Sequence, residues 1–468
     1  MPETQRHREN LCHRERNNLG LFVAKEIQCL IFFLYFFVIS WANRGIYMDK
    51  IIIKGGKKLS GTVRISGAKN AALPIMASSL LVEGRTVLTN VPNLIDIRTM
   101  SHLLRIIGAK VEYEPDAHIL NIDTSNCSFW EAPYELVKTM RASTYVMGPL
   151  LGRFGKANVS FPGGCAIGQR PIDLHLKGFR KLGANIRVER GYILAEAKEL
   201  IGNHIYFDKS SVGATANVMM AAVKAQGTTI LENSACEPEV TALAEFLTKM
   251  GAKISGIGTS KLIIQGVKAL KPITAEIIPD RIEAGTFLIA GAITNSELTI
   301  IDCEPKHLSS VIEKLRECGY KLGIGENNIT ITTNNQQPTT KPLMVSTAPY
   351  PDFPTDLQAQ LTALLSIGQG ESIIKDNIFP ERFMHISELN RLGANIKVKD
   401  NIAYVKGVEK LIGAPVMATD LRASAALILA GLAAEGETEI SRIYHLDRGY
   451  EKIEQKLSKL GADIKRIY

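Results

Sequence analysis

The chain has 468 residues, of which 46% are hydrophobic and 22% are charged, as is usual for soluble globular proteins. That length is too great for one ordinary hydrophobic core, so we expect two large domains. The formal net charge of +8 comes from dispersed lysines and arginines. It indicates a nucleic-acid partner weakly, and small anionic substrates explain it equally well. We therefore predict small-molecule partners and no nucleic acid.

Cysteine usage bears on the compartment. The seven cysteines are scattered, odd in number and without a C-x-x-C pair. This pattern argues against a disulfide framework or a structural zinc site, and it favours a reducing compartment. We predict a cytoplasmic protein.

Residues 1–47 differ from the rest of the chain. Residues 27–41 read IQCLIFFLYFFVISW, which is shorter than the ~20 residues of a membrane-spanning helix. No signal-peptidase pattern follows them. We favour an upstream-start artefact over an anchor and predict that 1–47 is an extension outside the fold. A membrane partner is expected only if residues 27–41 are translated and inserted.

The first charged residue of interest is Lys69, in ISGAKNAALP (65–74). It follows the turn at Gly67 and opens a predicted helix. An ammonium beside helix N-terminal amides suits a phosphate or a carboxylate. The alternative is an ordinary solvent-exposed lysine at a helix start.

Six internal repeats organise the chain from Met48 onward. An amphipathic helix pattern ends at a glycine six times, at intervals of 75, 68, 68, 74 and 68 residues. Glycine there is a common helix C-terminal stop, and a β-branched strand pattern follows, such as 185–188 or 395–398. The six glycines are Gly108, Gly183, Gly251, Gly319, Gly393 and Gly461.

A second, almost wholly apolar helix precedes several of these units. Such helices are expected to be buried inside sheets. We predict two domains of three α/β units each, and a simple solenoid is the alternative. The predicted apolar helices span Ala216–Ala225, Glu283–Ile293, Thr355–Ser366 and Leu421–Ala434.

The segment 161–173 reads FPGGCAIGQRPID and contains a candidate reactive thiol. Its glycines and prolines predict a loop whose backbone can approach an anion. Arg170 lies five residues after Cys165, and a nearby cation favours the thiolate. A turn that holds a buried, inert cysteine is the alternative.

Arginines and one aspartate are further candidates. Arg141 and Arg422 each open an apolar helix within the tetrapeptides MRAS and LRAS, where a lone buried charge would be costly without an anionic ligand. Asp420 is an alternative structural partner for Arg422. Asp356 in YPDFPTDLQAQ could cap a helix, or Thr355 could cap it and leave Asp356 as a base. Arg382 and Arg448 complete this set.

No H-E-x-x-H, P-loop or G-x-G-x-x-G pattern occurs in the sequence, so zinc, ATP and NAD have no support. A thiol, a carboxylate and several guanidiniums indicate chemistry on a phosphorylated anionic substrate. We predict no cofactor and no metal.

Nine motifs then occur in the order ISGAKNAALPI, VKTMRAS, FPGGCAIGQRPIDLH, SVGAT, PDRIEAGTF, FPTDLQAQ, ERFMH, ATDLRAS and YHLDRGYE. Together they closely resemble the enolpyruvyl transferases, in the branch whose acceptor is UDP-N-acetylglucosamine, from Met48 to Tyr468. The resemblance implies two inside-out α/β domains of three βαβαββ units each, with the active site in the cleft between them. It implies one domain at 69–277, with the cysteine loop, and a second at 48–68 plus 278–468.

The resemblance also implies a reaction, the first committed step of peptidoglycan synthesis. Phosphoenolpyruvate would donate its enolpyruvyl group to the 3-hydroxyl of the sugar, through a tetrahedral ketal, with release of phosphate. By motif, Cys165 would protonate the methylene carbon and capture phosphoenolpyruvate or the epoxide fosfomycin covalently. Asp356 would take the hydroxyl proton. Lys69, Arg170 and Arg448 would hold the phosphate and carboxylate, with Arg141 and Arg422 nearby.

For the nucleotide sugar, the resemblance indicates two segments and three further residues. Ser210 departs from the apolar residue expected there, which puts the fine uridine contacts in doubt. A 5-enolpyruvylshikimate-3-phosphate synthase-like transferase and a non-catalytic scaffold are the alternatives, and the first lacks the PGGC loop. The residues indicated are Arg170, Pro171, Ile172, Asp173 and Leu174, then Lys209, Ser210, Ser211 and Val212, with Asn70, Asp356 and Ile378 facing the sugar. Arg382 is a further predicted substrate-binding residue, with no part of the substrate assigned to it.

Overall fold

The computed structural model describes residues 49–161, 172–332 and 340–468. Residues Lys50–Ile467 form one compact unit. None of the helices in these ranges has the length and apolar character needed to cross a membrane. The helices are α1 Lys69–Ser78, α2 Ile95–Ile107, α3 Tyr134–Val137, α4 Met147–Phe154, α5 Asp173–Lys181, α6 Val212–Ala222, α7 Pro238–Lys249, α8 Arg281–Ile293, α9 Ser309–Glu317, α10 Gln358–Ser366, α11 His385–Arg391, α12 Leu421–Ala433 and α13 Ile453–Lys459.

Strands alternate with these helices along the chain, and short 3₁₀ helices include Arg141–Val146, Thr355–Leu357 and Ile443–Arg448. The strands are β1 Lys50–Lys54, β2 Ser60–Arg64, β3 Arg85–Thr89, β4 Lys110–Glu114, β5 Ile119–Asp123, β6 Glu131–Ala132, β7 Lys156–Ser160, β8 Asn185–Glu189, β9 Tyr192–Glu196, β10 His204–Tyr206, β11 Thr228–Glu232, β12 Lys253–Ser255, β13 Lys261–Gln265, β14 Thr274–Glu276, β15 Glu297–Ile301, β16 Lys321–Ile324, β17 Asn328–Thr332, β18 Met344–Thr347, β19 Glu371–Asp376, β20 Asn395–Lys399, β21 Ile402–Lys406, β22 Pro415–Met417, β23 Glu437–Ser441 and β24 Asp463–Ile467.

The strands form six four-stranded sheets that share one pairing pattern. In each sheet an edge strand pairs in parallel with its neighbour, and the remaining two pairings are antiparallel. The predicted six α/β units are therefore confirmed. The sheet orders are β14-β3-β5-β4, β6-β7-β9-β8, β10-β11-β13-β12, β16-β17-β15-β2, β18-β19-β21-β20 and β22-β23-β1-β24.

Strands from distant parts of the chain complete three of these sheets. β1 lies between β23 and β24, with Ile51 opposite both Ile440 and Arg466. β2 pairs in parallel with β15, and β14 pairs in parallel with β3. An open solenoid stacks each repeat on its sequence neighbours, so these closing strands exclude the solenoid alternative.

The six repeat glycines end the helices as predicted. All six have a left-handed backbone conformation, with φ between 93° and 109°. Glycine adopts this conformation without the steric cost that a Cβ would bring. The strand patterns that follow are confirmed too, for example as β8 and β20.

The apolar helices are almost wholly buried, as predicted. Helices α1, α6, α8, α10 and α12 each bury all but one or two of their residues at most. The helix predicted over 216–225 is α6, which begins four residues earlier, at Val212. It begins there because the Ser211 side chain caps it by accepting a hydrogen bond from the amide of Ala214.

Buried hydrophobic residues form two separate cores. The first draws on residues between Ala68 and Ile277, and the second on Ile51–Ile65 together with Ile282–Ile464. The chain crosses between the cores twice, and the crossings are hydrogen-bonded, from Ala68 N to Ile278 O at 2.7 Å and from Asp280 N to Ser66 O at 2.9 Å. The assignment of domains at 69–277 and at 48–68 plus 278–468 stays a prediction.

Candidate active site

The carboxylate of Asp356 lies between two buried guanidiniums. Arg382 Nη1 donates to Oδ1 at 2.7 Å, and Arg422 Nη2 donates to Oδ2 at 2.9 Å. Asp356 sits in the 3₁₀ helix Thr355–Leu357, and its side chain caps no helix. The capping alternatives are therefore wrong for both Thr355 and Asp356, since Thr355 Oγ1 donates to Asp376 instead.

A second aspartate builds the turn that carries Arg382. Asp376 ends β19, and its Oδ1 accepts from the amides of Ile378 and Phe379. Its Oδ2 accepts from Thr355 at 2.7 Å. These bonds tie the segment of Ile378, a predicted sugar contact, to the helix start that presents Asp356.

Arg422 is placed by its own helix. The Asp420 side chain accepts from the amides of Arg422 and Ala423, so Asp420 is the N-cap of α12. The carboxylate partner of the Arg422 guanidinium is Asp356, so the alternative pairing with Asp420 is wrong. Arg141, by contrast, starts a 3₁₀ helix and is half-buried, so the prediction that both arginines open apolar helices as buried charges holds for Arg422 alone.

Charges decide how Asp356 titrates. Burial alone would raise its pKa, but Arg422 and Arg382 hold the pKa of this carboxyl well below its ordinary value. Burial would lower the pKa of Arg422, and Asp356 raises it. Both groups are therefore ionised at neutral pH.

The two buried arginines retain donors that the ion pairs do not use. Arg382 Nε, Arg422 Nε and Arg422 Nη1 are buried and have no hydrogen-bond acceptor within 49–161, 172–332 and 340–468. Arg382 also stacks over the Phe379 ring at 5.6 Å, and Arg422 over the Tyr450 ring at 5.5 Å. Unpaired buried N–H groups are costly, so this geometry suits an additional anion.

Lys69 and Arg448 meet at a third aspartate. Lys69, the first residue of α1, is 7% exposed, so the alternative of a solvent-exposed lysine is wrong. Its Nζ donates to Asp96 Oδ2 at 2.9 Å, and Arg448 donates from Nε to Asp96 Oδ1 at 2.9 Å. Asp96 was not predicted as a site residue, and its one local signal is its place in the first turn of α2.

The predicted nucleotide residues that the structure describes lie on two helix starts. Ile172 is buried immediately before α5, while Asp173 and Leu174 form its first turn. Lys209, Ser210 and Ser211 precede α6, which Val212 begins. Asn70, a predicted sugar contact, is the half-buried second residue of α1. Cys165, Arg170 and Pro171 lie outside the described residues.

His175 joins these two helices. Asn217 Oδ1 accepts from the Gly148 amide, so Asn217 Nδ2 is the donor to both Thr144 O and His175 Nδ1. His175 is consequently neutral with its proton on Nε2, and burial lowers its pKa to about 3. Its ring also lies against Gly213, where a Cβ would meet Nε2 at 3.0 Å.

A further ion pair connects the two cores. Arg281 at the start of α8 donates from Nε to Glu239 Oε1 at 3.0 Å and from Nη2 to Oε2 at 3.3 Å. Both side chains are at most 10% exposed. The motif PDRIEAGTF contains Arg281, but no spacing in the sequence pairs it with a glutamate 42 residues earlier.

The described cysteines are poor nucleophiles. Cys127, Cys236, Cys303 and Cys318 form no disulfides, and burial raises the pKa of Cys303 to about 11 and of Cys318 to about 12. Within the described ranges, no three His, Cys, Asp or Glu residues are grouped so as to hold a metal ion.

Comparisons with known proteins place this architecture in a class. The family model of EPSP synthase (3-phosphoshikimate 1-carboxyvinyltransferase) matches residues 53–457. The enolpyruvyl transferase NikO from Streptomyces tendae is 26% identical, with a TM-score of 0.81 over 90% of this chain and 99% of that chain. An EPSP synthase from Acinetobacter baumannii shares the fold at 17% identity, with a TM-score of 0.69 over 90% of this chain and 100% of that one. Fold and site together define an enolpyruvyl transferase.

Closer relatives narrow the class. A UDP-N-acetylglucosamine 1-carboxyvinyltransferase from Chloroherpeton thalassium is 58% identical over 90% of this chain and 97% of its own length. One from Desulfosudis oleivorans is 54% identical over 90% of this chain and all of its own. The chain therefore belongs to the UDP-N-acetylglucosamine 1-carboxyvinyltransferase family.

Proposed function

We propose that the chain transfers the enolpyruvyl group of phosphoenolpyruvate to the 3-hydroxyl of UDP-N-acetylglucosamine and releases phosphate, the first committed step of peptidoglycan synthesis. Family membership supports the acceptor and the donor. The single observation that carries the proposal is the Asp356 carboxylate between Arg382 and Arg422, two buried guanidiniums with unused donors. A base beside anion-binding groups is what this transfer requires.

The anionic donor would bind where cations cluster. The unused N–H groups of Arg382 and Arg422 suit a planar carboxylate, since guanidiniums form strong charge-assisted hydrogen bonds with such groups. Lys69 and Arg448 together suit the phosphate, with Arg170 as the third predicted cation. The acceptor nucleotide would lie against 170–174 and 209–212, near Arg141, and its sugar against Asn70, Asp356 and Ile378.

The reaction would proceed by addition and then elimination. In the addition, the sugar 3-oxygen bonds to C2 of phosphoenolpyruvate, Asp356 takes the hydroxyl proton, and Cys165 delivers a proton to C3. In the elimination, the Cys165 thiolate left by the addition takes a proton from C3, the C–H electron pair forms the C2–C3 double bond, and the C2–O bond to phosphate breaks with its electron pair leaving on the phosphate.

The low pKa of Asp356 means that this carboxylate can act as a base only after its surroundings change. As long as no other anion is bound to Arg382 and Arg422, these arginines keep the carboxylate a weak base. An anionic substrate on these arginines would weaken their effect and raise the proton affinity of Asp356. The hydroxyl proton is thus taken after the donor is bound.

We also propose that the described cores correspond to the two predicted domains, with the site between them, and that the protein works in the cytoplasm. Residues of both cores that meet at Asp96 and at Glu239 support the first statement. The unpaired described cysteines support the second.

The test is phosphate release by the full-length chain from phosphoenolpyruvate, with and without UDP-N-acetylglucosamine. Release that requires both substrates supports the proposal, and the Cys165→Ser variant should then lose turnover while it binds the UDP-sugar. Release with shikimate 3-phosphate instead would support the synthase alternative. No release with either acceptor would contradict transferase activity.

A further inference from the structure

Asp96 stands out because no predicted role accounts for it. It is 3% exposed, and both of its oxygens accept hydrogen bonds from cations. Lys69 Nζ lies 2.9 Å from Oδ2, while Arg448 Nε lies 2.9 Å from Oδ1 and Arg448 Nη2 lies 3.4 Å from Oδ2. Charge-assisted, partly bidentate contacts of this kind fix orientation as well as distance.

The carboxylate is an anion in this setting. Burial alone would raise the pKa of Asp96, but Lys69 and Arg448 lower it below its ordinary value. The cluster therefore holds two positive charges and one negative charge. Because Lys69 and Arg448 share one oxygen of Asp96, they lie close enough to contact a single phosphate group together.

The three residues come from both halves of the fold. Lys69 in α1 and Asp96 in α2 pack with the first hydrophobic core, while Arg448 ends the 3₁₀ helix Ile443–Arg448 of the second. Lys69 is nearly buried, whereas the Arg448 side chain is 34% exposed. Without a shared anion the two like charges would repel, and Arg448 is the one with room to move away.

We propose that Asp96 is a positioning residue that holds Lys69 and Arg448 as a preassembled pair for the phosphate of the donor. The inference rests on the proposed function, in which these two cations bind that phosphate. Asp96 does not touch the reacting atoms. It acts by keeping cations from the two cores at one place before the substrate arrives, so that binding does not have to assemble them.

The test compares Asp96→Asn with a matched control. The asparagine keeps the size of the side chain and one acceptor but lacks the negative charge. The control is Asp447→Asn, one residue before Arg448 on the same 3₁₀ helix. It makes the same chemical change in the carboxylate that accepts from both Nη atoms of Arg466 at 2.6–2.8 Å, removing its charge and leaving one acceptor. It reports what loosening that helix costs without touching Asp96.

For Asp96→Asn we expect kcat/KM for phosphoenolpyruvate to fall by on the order of 100-fold, since small misplacements of binding groups cost that much. KM for UDP-N-acetylglucosamine should change little, and Asp96→Glu should recover part of the loss. In a double-mutant cycle with Arg448→Lys, the two losses should be non-additive, because Asp96 acts through Arg448. Asp447→Asn should show a smaller loss.

Other outcomes overturn the inference. Equal losses in Asp96→Asn and Asp447→Asn, or additive losses in the cycle, would make Asp96 a structural residue. A lower KM for phosphoenolpyruvate in Asp96→Asn would show instead that the Asp96 carboxylate competes with the substrate phosphate for Lys69 and Arg448. If the wild-type chain shows no turnover, the proposed function is wrong, but this result does not decide the role of Asp96. Titration of the wild-type chain and of Asp96→Asn with inorganic phosphate then tests that role. In that titration weaker binding to Asp96→Asn supports the positioning role, and equal or tighter binding contradicts it.

Discussion

At the residue scale, Asp356 is a carboxylate that the fold keeps ionised. Two guanidiniums lower its pKa against the opposing effect of burial. Such a pair is costly to form and still more costly to break from one side, because one charge is then left buried without its partner. This explains why the carboxylate and both arginines are held by additional caps and turns, through Asp376 and Asp420.

The Asp356→Asn variant should slow chemistry much more than it weakens binding. The amide still accepts from one arginine but takes no proton, and positioned bases contribute about 10²–10⁴-fold to rates. Single-turnover rates and equilibrium titration with UDP-N-acetylglucosamine separate the two effects. Asp376→Asn is the control, since it alters hydrogen bonds to the same helix start. Equal single-turnover losses in both variants would make Asp356 a structural residue.

His175 gives the fold an acid-sensitive point. Its pKa is about 3 in the folded protein and about 6.5 when unfolded. Between these values the unfolded chain binds more protons, so stability falls as the pH drops from about 6.5, by up to about 1.4 kcal/mol per pH unit. The stability advantage of wild type over His175→Gln should therefore shrink on acidification. Melting curves from pH 8 to 4.5 check this, and parallel curves would contradict it.

Several site residues were predictable and others were not, for a physical reason. Lys69, Asp356, Arg382, Arg422 and Arg448 stand in motifs beside turns or helix starts, and local sequence marks such places. The partners of these residues come from elsewhere in the chain. Asp96 meets an arginine 352 residues away, and no local pattern encodes that contact.

At the scale of elements, the helix and strand predictions were confirmed where the residue types in the sequence reveal a required backbone conformation. The six repeat glycines mark helix ends because their left-handed conformation disfavours other residues. The predicted start of α6 at Ala216 was four residues late, because its cap, Ser211, is followed closely by Gly213, a residue that disfavours a helix interior. Sheet partners such as β1 with β24 could not be read from the sequence, since pairing depends on topology.

Gly285 of helix α8 is the point at which this helix packs against the helix start that carries Asp356. A Cβ at Gly285 would meet Leu357 Cδ1 at 2.4 Å, and Leu357 is fully buried. Helix α8 therefore sets the position of the segment Thr355–Leu357. A larger residue at Gly285 has to displace either the helix or that segment.

The Gly285→Ala variant should lower activity out of proportion to stability. Overpacking of this kind costs about 1–3 kcal/mol, and here the strain falls on the residue next to Asp356. Gly291→Ala is the matched control, in the same helix with a Cβ 2.6 Å from Ile331 Cγ2. Urea unfolding and kcat measured on both variants test this. Similar loss of kcat in both would show that α8 affects activity through stability alone.

At the scale of the whole molecule, buried ion pairs join the cores. Glu239 and Arg281 pair across them with both side chains almost inaccessible. Glu237 lies nearby with a buried Oε2 that has no acceptor or donor partner in the described ranges, and burial raises its pKa. The same region thus holds one carboxylate paired through both oxygens and one with an oxygen left without a partner.

Removing one member of the Glu239–Arg281 pair should cost about 3–5 kcal/mol, whereas replacing both with methionine should restore most of that loss. Calorimetric unfolding of Arg281→Met, Glu239→Met and the double variant measures the difference. Glu237→Gln serves as the control. It should lower the free energy of unfolding only a little, because burial already disfavours the charge of the Glu237 carboxylate. A double variant no more stable than the worse single one would show that the pair contributes by its shape, not by its charge.

The pairing of β1 with β24 places Lys50 opposite Ile467, so the two ends of the compact unit are one strand spacing apart. Because these ends are so close together, the chain can be circularly permuted. If a short linker joined 467 to 50 and new termini were opened at the crossing near Pro279, each core would be encoded by one uninterrupted stretch. The connection between them would then be a single covalent link at 65–68, and the reversible association of two separately expressed halves would become an experiment that the natural chain order does not allow.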